Sequence, residues 1–296
     1  MAPRTLAAPD IELLAPIGSG GQATVYRGKL WSGGATKLVA VKLYGNSDAA
    51  SWSYRAEREI LWKADHPSIP KLLGFFDTTS ESALIIELLS GISLARLIGS
   101  AHRNGALFSG GVIAYIACEL LSALSYLHGG LDGKLSSVIH GDIAPDNIFL
   151  TDDGKVFLLD FGAVYSPHKK AQQLFGKRAY LAPEQLDGEA ASIWSDLYSL
   201  GAVMFETAIL RPFDFPQFAQ EFALLRKCHV GLPETLFLSI RACLAPTASL
   251  RPKNASLLLK ILRSGAFAAQ EDEKQELARI VKVHLSTLTP GLAREF

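Results

Sequence analysis

Three side chains that can serve a metal ion or a proton lie close together in the middle of this 296-residue chain. Asp142, Asn147 and Asp160 stand at the edges of two apolar runs, which are separated by a polar turn at residues 152–154. Two such runs around a turn predict a short hairpin. Carboxylate and amide oxygens are hard donors that favour Mg²⁺ over Zn²⁺. Segment 138–162 therefore indicates a metal-assisted phosphate site, and the alternative is a polar hairpin with two loop aspartates.

A second candidate site is a glycine-rich turn near the N-terminus. Gly18, Gly20 and Gly21 stand between predicted strands at Ile11–Ala15 and Ala23–Leu30. Glycines let backbone N–H groups approach phosphate oxygens without interference from a Cβ atom. Because a strand and not a helix follows, the pattern favours a hairpin that covers phosphates over a dinucleotide fingerprint. Taken alone, a plain turn explains it equally well.

One lysine interrupts an apolar strand. Lys42 ends the run Val39–Val41, where an unpaired buried charge would cost several kcal/mol. A helix is predicted over Ser47–Ala64, where Pro67 stops it. Glu57 and Glu59 on that helix are the two candidate partners for the lysine.

Together these motifs resemble those of protein kinases, in the same order along the chain. The quoted residues are Gly18-Ser19-Gly20, Val39-Ala40-Val41-Lys42, His140-Gly141-Asp142 with Asn147, Asp160-Phe161-Gly162, Ala182-Pro183-Glu184 and Arg251-Pro252. The resemblance covers roughly residues 11–263 and is strongest to the bacterial eukaryotic-like serine/threonine group. It implies an α+β fold with two lobes, a small antiparallel-sheet lobe and a larger, mainly helical lobe. The expected divisions are an extension at 1–10, the small lobe at 11–89, the large lobe at 90–263 and a helical extension at 264–296.

The resemblance implies a role for each candidate residue. Asp142 would be the catalytic base, and Asn147 and Asp160 would hold Mg²⁺ over the phosphates of ATP. Lys42 would contact the α- and β-phosphates and pair with Glu57, which has the family's spacing of nine residues before His66, whereas Glu59 would face solvent. The residues expected to contact the nucleotide are Ile17, Gly18, Gly20, Gly21, Val25, Ala40, Lys42, Glu87, Leu89 and Phe149, with Glu87 and Leu89 acting through their backbone.

Four positions depart from the family pattern, and the first is Ala23, which replaces the third glycine of the glycine-rich turn. Gly141 replaces the arginine that normally clamps a phosphorylated activation loop. Ala144 replaces a lysine, and Lys177 replaces a threonine, both of which normally touch the catalytic aspartate and the substrate. We expect Lys177 to supply the missing cation from the other side of the site. We also expect activity that does not depend on phosphorylation of residues 163–181, which contain Tyr165, Ser166 and Tyr180 but no threonine.

The resemblance also predicts structural contacts. Arg251 would form an ion pair with Glu184, and Asp196 would accept hydrogen bonds from the backbone near His140. His140 and Phe161 would pack with Leu61 and Leu72 in a column that links the lobes. A charged helix over Ala266–Leu285 has a partly apolar stripe and is expected to pack on the large lobe, the alternative being a partner site.

The composition and charge of the chain argue against a nucleic-acid-binding protein. Hydrophobic residues make up 49% of the chain and charged residues 20%, and the net charge is +0, so nothing indicates a nucleic-acid-binding protein. The apolar segments Val112–Leu127 and Leu197–Leu210 are predicted to be core helices that are too short to span a membrane. No signal peptide is expected at the N-terminus, where Pro9 and Asp10 interrupt the apolar run, and Cys118, Cys228 and Cys243 are expected to be reduced, buried thiols of a cytoplasmic protein.

Two alternatives to an ATP- and Mg²⁺-dependent protein kinase stay open. The His-Gly-Asp motif with Asn147 also resembles small-molecule phosphotransferases such as aminoglycoside kinases, although the Ala-Pro-Glu motif and Arg251 favour a protein substrate. Ala23, Ala144 and Lys177 leave room for a pseudokinase that acts as a scaffold. The substrate's identity and the oligomeric state are not indicated.

Overall fold

The computed structural model describes residues 4–5, 10–32, 34–78, 81–131, 137–163, 177–264 and 270–287. These residues form the predicted α+β fold, with a sheet-based small lobe and a mainly helical large lobe. The two lobes meet where Lys42 of the small lobe pairs with Asp160 of the large lobe.

The small lobe is one six-stranded sheet with a helix packed on it. Its elements are β1 (Arg4–Thr5), β2 (Ile11–Ser19), β3 (Ala23–Ser32), β4 (Ala35–Tyr44), α1 (Asp48–Lys63), β5 (Leu72–Asp77) and β6 (Ser82–Glu87), and the strand order is β1-β2-β3-β4-β6-β5. Strand β4 is central and buried on both faces, so Val39, Ala40 and Val41 are fully buried. Ser47 caps α1 by accepting a 3.1 Å hydrogen bond from the amide of Ala50. Residues 4–5, expected in an extension, add a strand to this sheet.

The large lobe contains helices and a short three-stranded sheet. Its elements are β7 (Gly91–Ser93), α2 (Leu94–Asn104), α3 (Gly110–His128), a 3-10 turn (Pro145–Asn147), β8 (Ile148–Thr151), β9 (Val156–Leu158), α4 (Pro183–Leu186), α5 (Ile193–Ile209), α6 (Phe218–Cys228), α7 (Glu234–Cys243), α8 (Ala255–Ser264) and α9 (Gln270–Thr287). The predicted hairpin is β8–β9, and β7, which follows the connection between the lobes, adds to its edge. This pairing joins the connection between the lobes to β8, the strand that follows the 3-10 turn.

Helix α3 is the core helix of the large lobe. It has 19 residues, so the expectation that it is too short to span a membrane was wrong. Within the described residues it is the one helix long and apolar enough to do so, and 72% of its apolar window is buried inside the fold. It packs against α5, α8 and α9.

Helix α9 packs on the large lobe, as one of the two sequence interpretations expected. It contacts α2, α3 and the β7–β8 pair, and Leu277 and Val281 on its inner face are fully buried. The side chain of Ser109, which caps α3, donates a 3.1 Å hydrogen bond to Glu276. At Gly154 the backbone of α9 lies so close that an added Cβ would be 2.3 Å from the carbonyl oxygen of Lys274.

The cysteines differ in exposure. Cys118 and Cys243 are buried, and burial raises the pKa of the Cys243 thiol to about 12. Cys228 is exposed at the end of α6, so the expectation of three buried thiols was wrong for this residue.

Candidate active site

A buried lysine connects the two lobes at the cleft. Lys42 on β4 donates hydrogen bonds to Glu57 Oε2 on α1 at 2.6 Å and to Asp160 Oδ1 at 3.0 Å. The ion pair with Glu57 is the one that sequence spacing selected, whereas Glu59 pairs with Lys63 at 3.1 Å and its side chain is half exposed. Asp160 comes from the loop after β9, so one ammonium group joins three separate segments.

Lys42 and Asp160 each stabilise the charged form of the other. Burial alone lowers the pKa of Lys42, but Asp160 and Glu57 outweigh that effect and raise it, so the lysine stays protonated. Burial alone would raise the pKa of Asp160, but the positive charge of Lys42 and the hydrogen bond that Lys42 donates outweigh this effect and lower it. Burial raises the pKa of Glu57, an effect that Lys42 opposes.

Tyr44 is a member of this cluster that sequence reasoning missed. Its hydroxyl donates a 2.6 Å hydrogen bond to Glu57 Oε2, the same oxygen that Lys42 contacts. The signal was available, because residues two apart on a strand point to the same face and Tyr44 follows Lys42 at that spacing.

Residues 142–147, here named the catalytic turn after the role expected of Asp142, orient the Asp142 side chain by hydrogen bonds. The side-chain amide of Asn147 donates to the Asp142 carbonyl at 2.8 Å and to its Oδ2 at 3.0 Å. The backbone amide of Asp142 donates to His140 Nδ1 at 3.3 Å. The pKa of Asp142 is raised by burial and by Asp160, although His140, Asn147 and Lys177 lower it in part. Such a carboxylate is a stronger proton acceptor than one in water.

A buried aspartate on α5 holds the backbone before the catalytic turn. Asp196 accepts hydrogen bonds from the amides of His140 and Gly141, each at 2.9 Å, and from His128 Nε2 at 2.8 Å. Gly141 adopts φ +75°, in the left-handed region that favours glycine. The interaction expected of Asp196 is therefore present, and Gly141 meets its geometric demand without a Cβ atom.

Aromatic packing supports the loop that carries Asp160. The rings of His140 and Phe161 are 5.2 Å apart, edge to face, and His140 Nε2 is 3.1 Å from the carbonyl oxygen of Leu159. Leu61 and Phe161 are buried in the same core, and the half-buried Leu72 packs against it. The His140–Phe161 contact of the expected column is therefore present, and Leu61 and Leu72 belong to the same apolar core.

The donor set of Asn147 and Asp160 fits Mg²⁺. Asn147 donates through its amide nitrogen, which leaves its oxygen for a hard cation, and Asp160 is ionised beside Lys42. Mg²⁺ commonly takes one or two such protein oxygens together with substrate phosphates and water. Among the described residues no group of three or more His, Cys, Asp or Glu side chains could hold a metal ion.

Two groups of residues form the expected nucleotide surface. Gly18, Gly20 and Gly21 lie at the β2–β3 turn, which closes with a 2.9 Å hydrogen bond from the Gly20 amide to the Ala23 carbonyl. Ile17 is half-buried beside this turn. Val25 pairs with Lys42 across β3–β4, and Ala40 pairs with Ile86 across β4–β6.

The connection between the lobes completes that surface. Leu89 and Phe149 are buried in one small apolar cluster with Phe157 and Leu159, which joins the connection to the hairpin. Glu87 accepts a 2.8 Å hydrogen bond from the Lys71 amide through its side chain. The predicted nucleotide residues thus lie at the glycine turn, in β3 and β4, and at the connection between the lobes, and their contact with a nucleotide stays a prediction.

A second ion pair lies below the cleft. Arg251, whose side chain is fully buried, donates to both carboxylate oxygens of Glu184, at 2.6 and 2.7 Å. It also donates to the carbonyls of Trp194, Ala245 and Pro246. Such a two-pronged contact constrains orientation as well as distance. It anchors the segment that carries Ala182-Pro183-Glu184 to the helical lobe.

Lys177 forms an ion pair with Asp146, and not with Asp142, the expected catalytic base. Its ammonium group contacts Asp146 on the 3-10 turn, and both side chains are about half exposed, at 57% and 49%. Its charge nevertheless lowers the pKa of Asp142. Ala144, at the position of the missing lysine, is buried. Tyr165 and Ser166 lie outside the described residues, and Tyr180 is buried with its hydroxyl 2.5 Å from Glu206.

A buried lysine joins the two lobes between a glycine turn and an aspartate–asparagine turn. This arrangement defines a kinase-like phosphotransferase fold. A sequence profile of the protein kinase domain matches residues 11–262, and the chain belongs to the protein kinase family.

Proteins from bacteria, animals and plants are similar to this chain. It is 29% identical over 211 residues to the probable serine/threonine-protein kinase PknB of Lactococcus lactis, with 68% of this chain and 32% of that protein aligned. It is 27% identical to the Aurora/IPL1-related protein kinase 2 of Caenorhabditis elegans, with 77% and 72% aligned. It is 31% identical to the salt tolerance receptor-like cytoplasmic kinase 1 of Oryza sativa, with 64% and 54% aligned. The chain thus spans about a third of the length of the Lactococcus relative.

Proposed function

We propose that this chain is an ATP- and Mg²⁺-dependent protein kinase that phosphorylates serine or threonine hydroxyls. The observation that carries the proposal is the contact of Lys42 with both Glu57 and Asp160. These groups come from β4, α1 and the loop after β9, and a scaffold without phosphate chemistry has no need for so costly a buried charge cluster.

Each residue of the cluster has a defined task in the proposed reaction. Lys42, held by Glu57, contacts the non-transferred phosphates and fixes their position. Asp142 accepts the proton of the substrate hydroxyl and aligns its oxygen for attack on the terminal phosphorus. Mg²⁺, held by Asn147 and Asp160, would neutralise charge on the phosphates when bound.

A protein substrate is favoured by the floor below the cleft. The pair of Arg251 and Glu184 anchors the segment at 182–184 to the helical lobe, and we infer that an extended polypeptide substrate lies along this segment. The serine/threonine assignment rests on the name of the Lactococcus relative, a probable serine/threonine-protein kinase.

We further propose that activity does not require phosphorylation of the activation segment. Gly141 has no side chain to clamp a phosphate, and its left-handed φ of +75° together with Asp196 holds the turn in place. An arginine here would carry a left-handed backbone that costs about 1–2 kcal/mol.

The deciding experiment compares Asp142→Asn with Asp187→Asn, an exposed aspartate at the end of α4. We expect γ-phosphate transfer to a generic protein substrate to fall by about 10²–10⁴-fold in the first variant and to stay unchanged in the second. Phosphoamino-acid analysis should detect phosphoserine or phosphothreonine, and phosphatase treatment should leave the rate intact. Equal signals from Asp142→Asn and the unaltered chain would refute the catalytic assignment and favour the scaffold. Transfer to small hydroxyl compounds but not to protein would favour a metabolite kinase.

Lys177 is proposed to assist Asp142 electrostatically. Because its charge lowers the pKa of Asp142, Lys177→Ala should move the acidic limb of the kcat/KM profile to higher pH and reduce the rate. Lys177→Arg should retain the unaltered profile, and Arg178→Ala is the matched control for the loss of a neighbouring positive charge. An unchanged rate and pH profile for Lys177→Ala would refute this role.

A further inference from the structure

A cavity of about 310 Å³ lies between α2 and α9, outside the catalytic cleft. Its walls are mainly apolar, with Leu97 and Ala101 from α2, Leu107 and Phe108 from the following loop, and Ile280 and Val283 from α9. At roughly 30 Å³ per water molecule, it has room for about ten small heavy atoms. The cavity opens to solvent at Leu107 and Val283, which are 47% and 59% exposed, and its apolar walls favour a hydrocarbon ligand that would cover them.

The polar groups at this cavity carry positive charge or are neutral. Arg279 on α9 lines it, and so does His284, whose Nδ1 lies 2.9 Å from the hydroxyl oxygen of Ser100. Burial, followed by the charges of Arg96 and Arg103, lowers the pKa of His284, so both arginines lie close enough to act on it. None of the described residues that line the cavity is acidic. The charged side chain that lines the cavity is therefore positive, while Glu276, one turn earlier on α9, is bonded to Ser109 at 3.1 Å.

We propose that this cavity binds a small amphipathic carboxylate of the fatty-acid class. The hydrocarbon chain lies between α2 and α9, and the carboxylate meets the guanidinium of Arg279 at the rim. A chain of about eight carbons matches the volume. The combination of apolar walls and a positive rim selects this class, because a neutral alcohol gains nothing from Arg279 and an alkylammonium is repelled by it. This proposal is independent of kinase activity, since it concerns binding at a different site.

The test uses octanoate, octanol and octylammonium as matched probes on the full chain with ¹³C-labelled methyl groups. We expect octanoate to shift the methyl signals of Leu97, Ile280 and Val283, and to leave Leu84 in the small lobe unchanged. Octanoate should bind about tenfold more tightly than octylammonium, from the added effects of attraction and repulsion at a partly exposed arginine.

Two variants on α9 separate a specific contact from general charge. Arg279→Gln should weaken octanoate binding by about threefold to fivefold, close to the level of octanol. Lys282→Gln removes one positive charge from the same helix at an exposed position outside the cavity and should leave the dissociation constant unchanged. Both variants retain the helix, and their melting temperatures are recorded as a check on folding.

Several results would overturn the proposal. Methyl shifts at Leu89 in the cleft without shifts at Val283 would place the probe elsewhere. Equal affinity for the three probes, or equal effects of the two substitutions, would remove the role of Arg279. A chain shortened after Thr287 that binds octanoate more than about tenfold tighter would show that residues 288–296 occupy the cavity. Loss of self-association on addition of octanoate would assign the cavity to a second copy of the chain.

Discussion

Removing the Tyr44 hydroxyl tests whether the catalytic lysine depends on a residue outside the family motifs. In Tyr44→Phe the ring remains, including its contact with Lys42, whose Nζ lies 5.6 Å from the ring centroid. The edge-to-face contact with Tyr54, with centroids 5.4 Å apart, is also retained. The change therefore removes one hydrogen bond, at 2.6 Å, from a buried carboxylate.

The size of the effect follows from the charge of the acceptor. A hydrogen bond to an ionised group contributes about 1.5–3 kcal/mol to the free energy of unfolding, whereas one to a neutral carbonyl contributes about 0.5–1.5 kcal/mol. Tyr44→Phe should therefore lower that free energy by about 1.5–3 kcal/mol. Since the Tyr44 hydroxyl lowers the pKa of Glu57, its loss should also raise that pKa, so Glu57 becomes protonated at higher pH.

Tyr115→Phe is the matched control, because its buried hydroxyl donates to the neutral carbonyl of Gly154 at 3.1 Å. Urea unfolding at neutral pH measures both variants, and a double-mutant cycle with Glu57→Gln isolates the hydroxyl–carboxylate term. The reasoning is refuted if Tyr44→Phe costs less than Tyr115→Phe. It is also refuted if the cycle gives a coupling energy of zero, because the hydroxyl would then stabilise something other than Glu57.

The remaining predictions concern the scaffold. Arg251→Lys should lower the free energy of unfolding by about 3 kcal/mol, because a lysine cannot reproduce a two-pronged contact in a buried site, and an unchanged urea midpoint would contradict this. Gly154→Ala should cost about 1–3 kcal/mol more than Gly34→Ala; both glycines have φ +81°, but only at Gly154 would a Cβ meet the backbone of α9, and equal costs would remove that contact from the account. Iodoacetamide should modify Cys228 in the folded chain and spare Cys118 and Cys243, and mass spectrometry that finds Cys243 modified first would contradict its burial.

Local patterns predicted the elements whose ends carry a chemical signal. The sequence predicts strands over Ile69–Phe76 and Ser82–Glu87, and β6 matches the second of these ranges. Helix α1 begins after Ser47 and ends at Lys63, one residue inside the prediction at each end. Strand β5 begins at Leu72 and not at Ile69, because Pro70 cannot donate to a ladder and the amide of Ile69 closes a turn onto His66 at 3.0 Å. The spacing to His66 likewise selected Glu57, since a helix face repeats at a fixed interval.

Contacts that depend on distant packing could not be predicted. The partner of Lys177 depends on where the 3-10 turn places Asp146, which no local pattern specifies. The exposure of Cys228 depends on which side of α6 faces the core, and the β7–β8 pairing on a close approach at Gly91, whose added Cβ would lie 2.0 Å from the Leu150 carbonyl oxygen. The cavity between α2 and α9 arises from two helices far apart in the chain.

Helix α9 lies outside the segment that matches the protein kinase profile, yet it is packed into the large lobe. The protein kinase profile ends at residue 262, whereas Leu277 and Val281, beyond that limit, are fully buried against the large lobe. Each such side chain contributes about 1.5–3 kcal/mol when buried. A fragment that ends at residue 262 would lack α9 and would expose the apolar surface of α3 that α9 covers. It would therefore be a poor surrogate for the whole chain, prone to self-association and proteolysis.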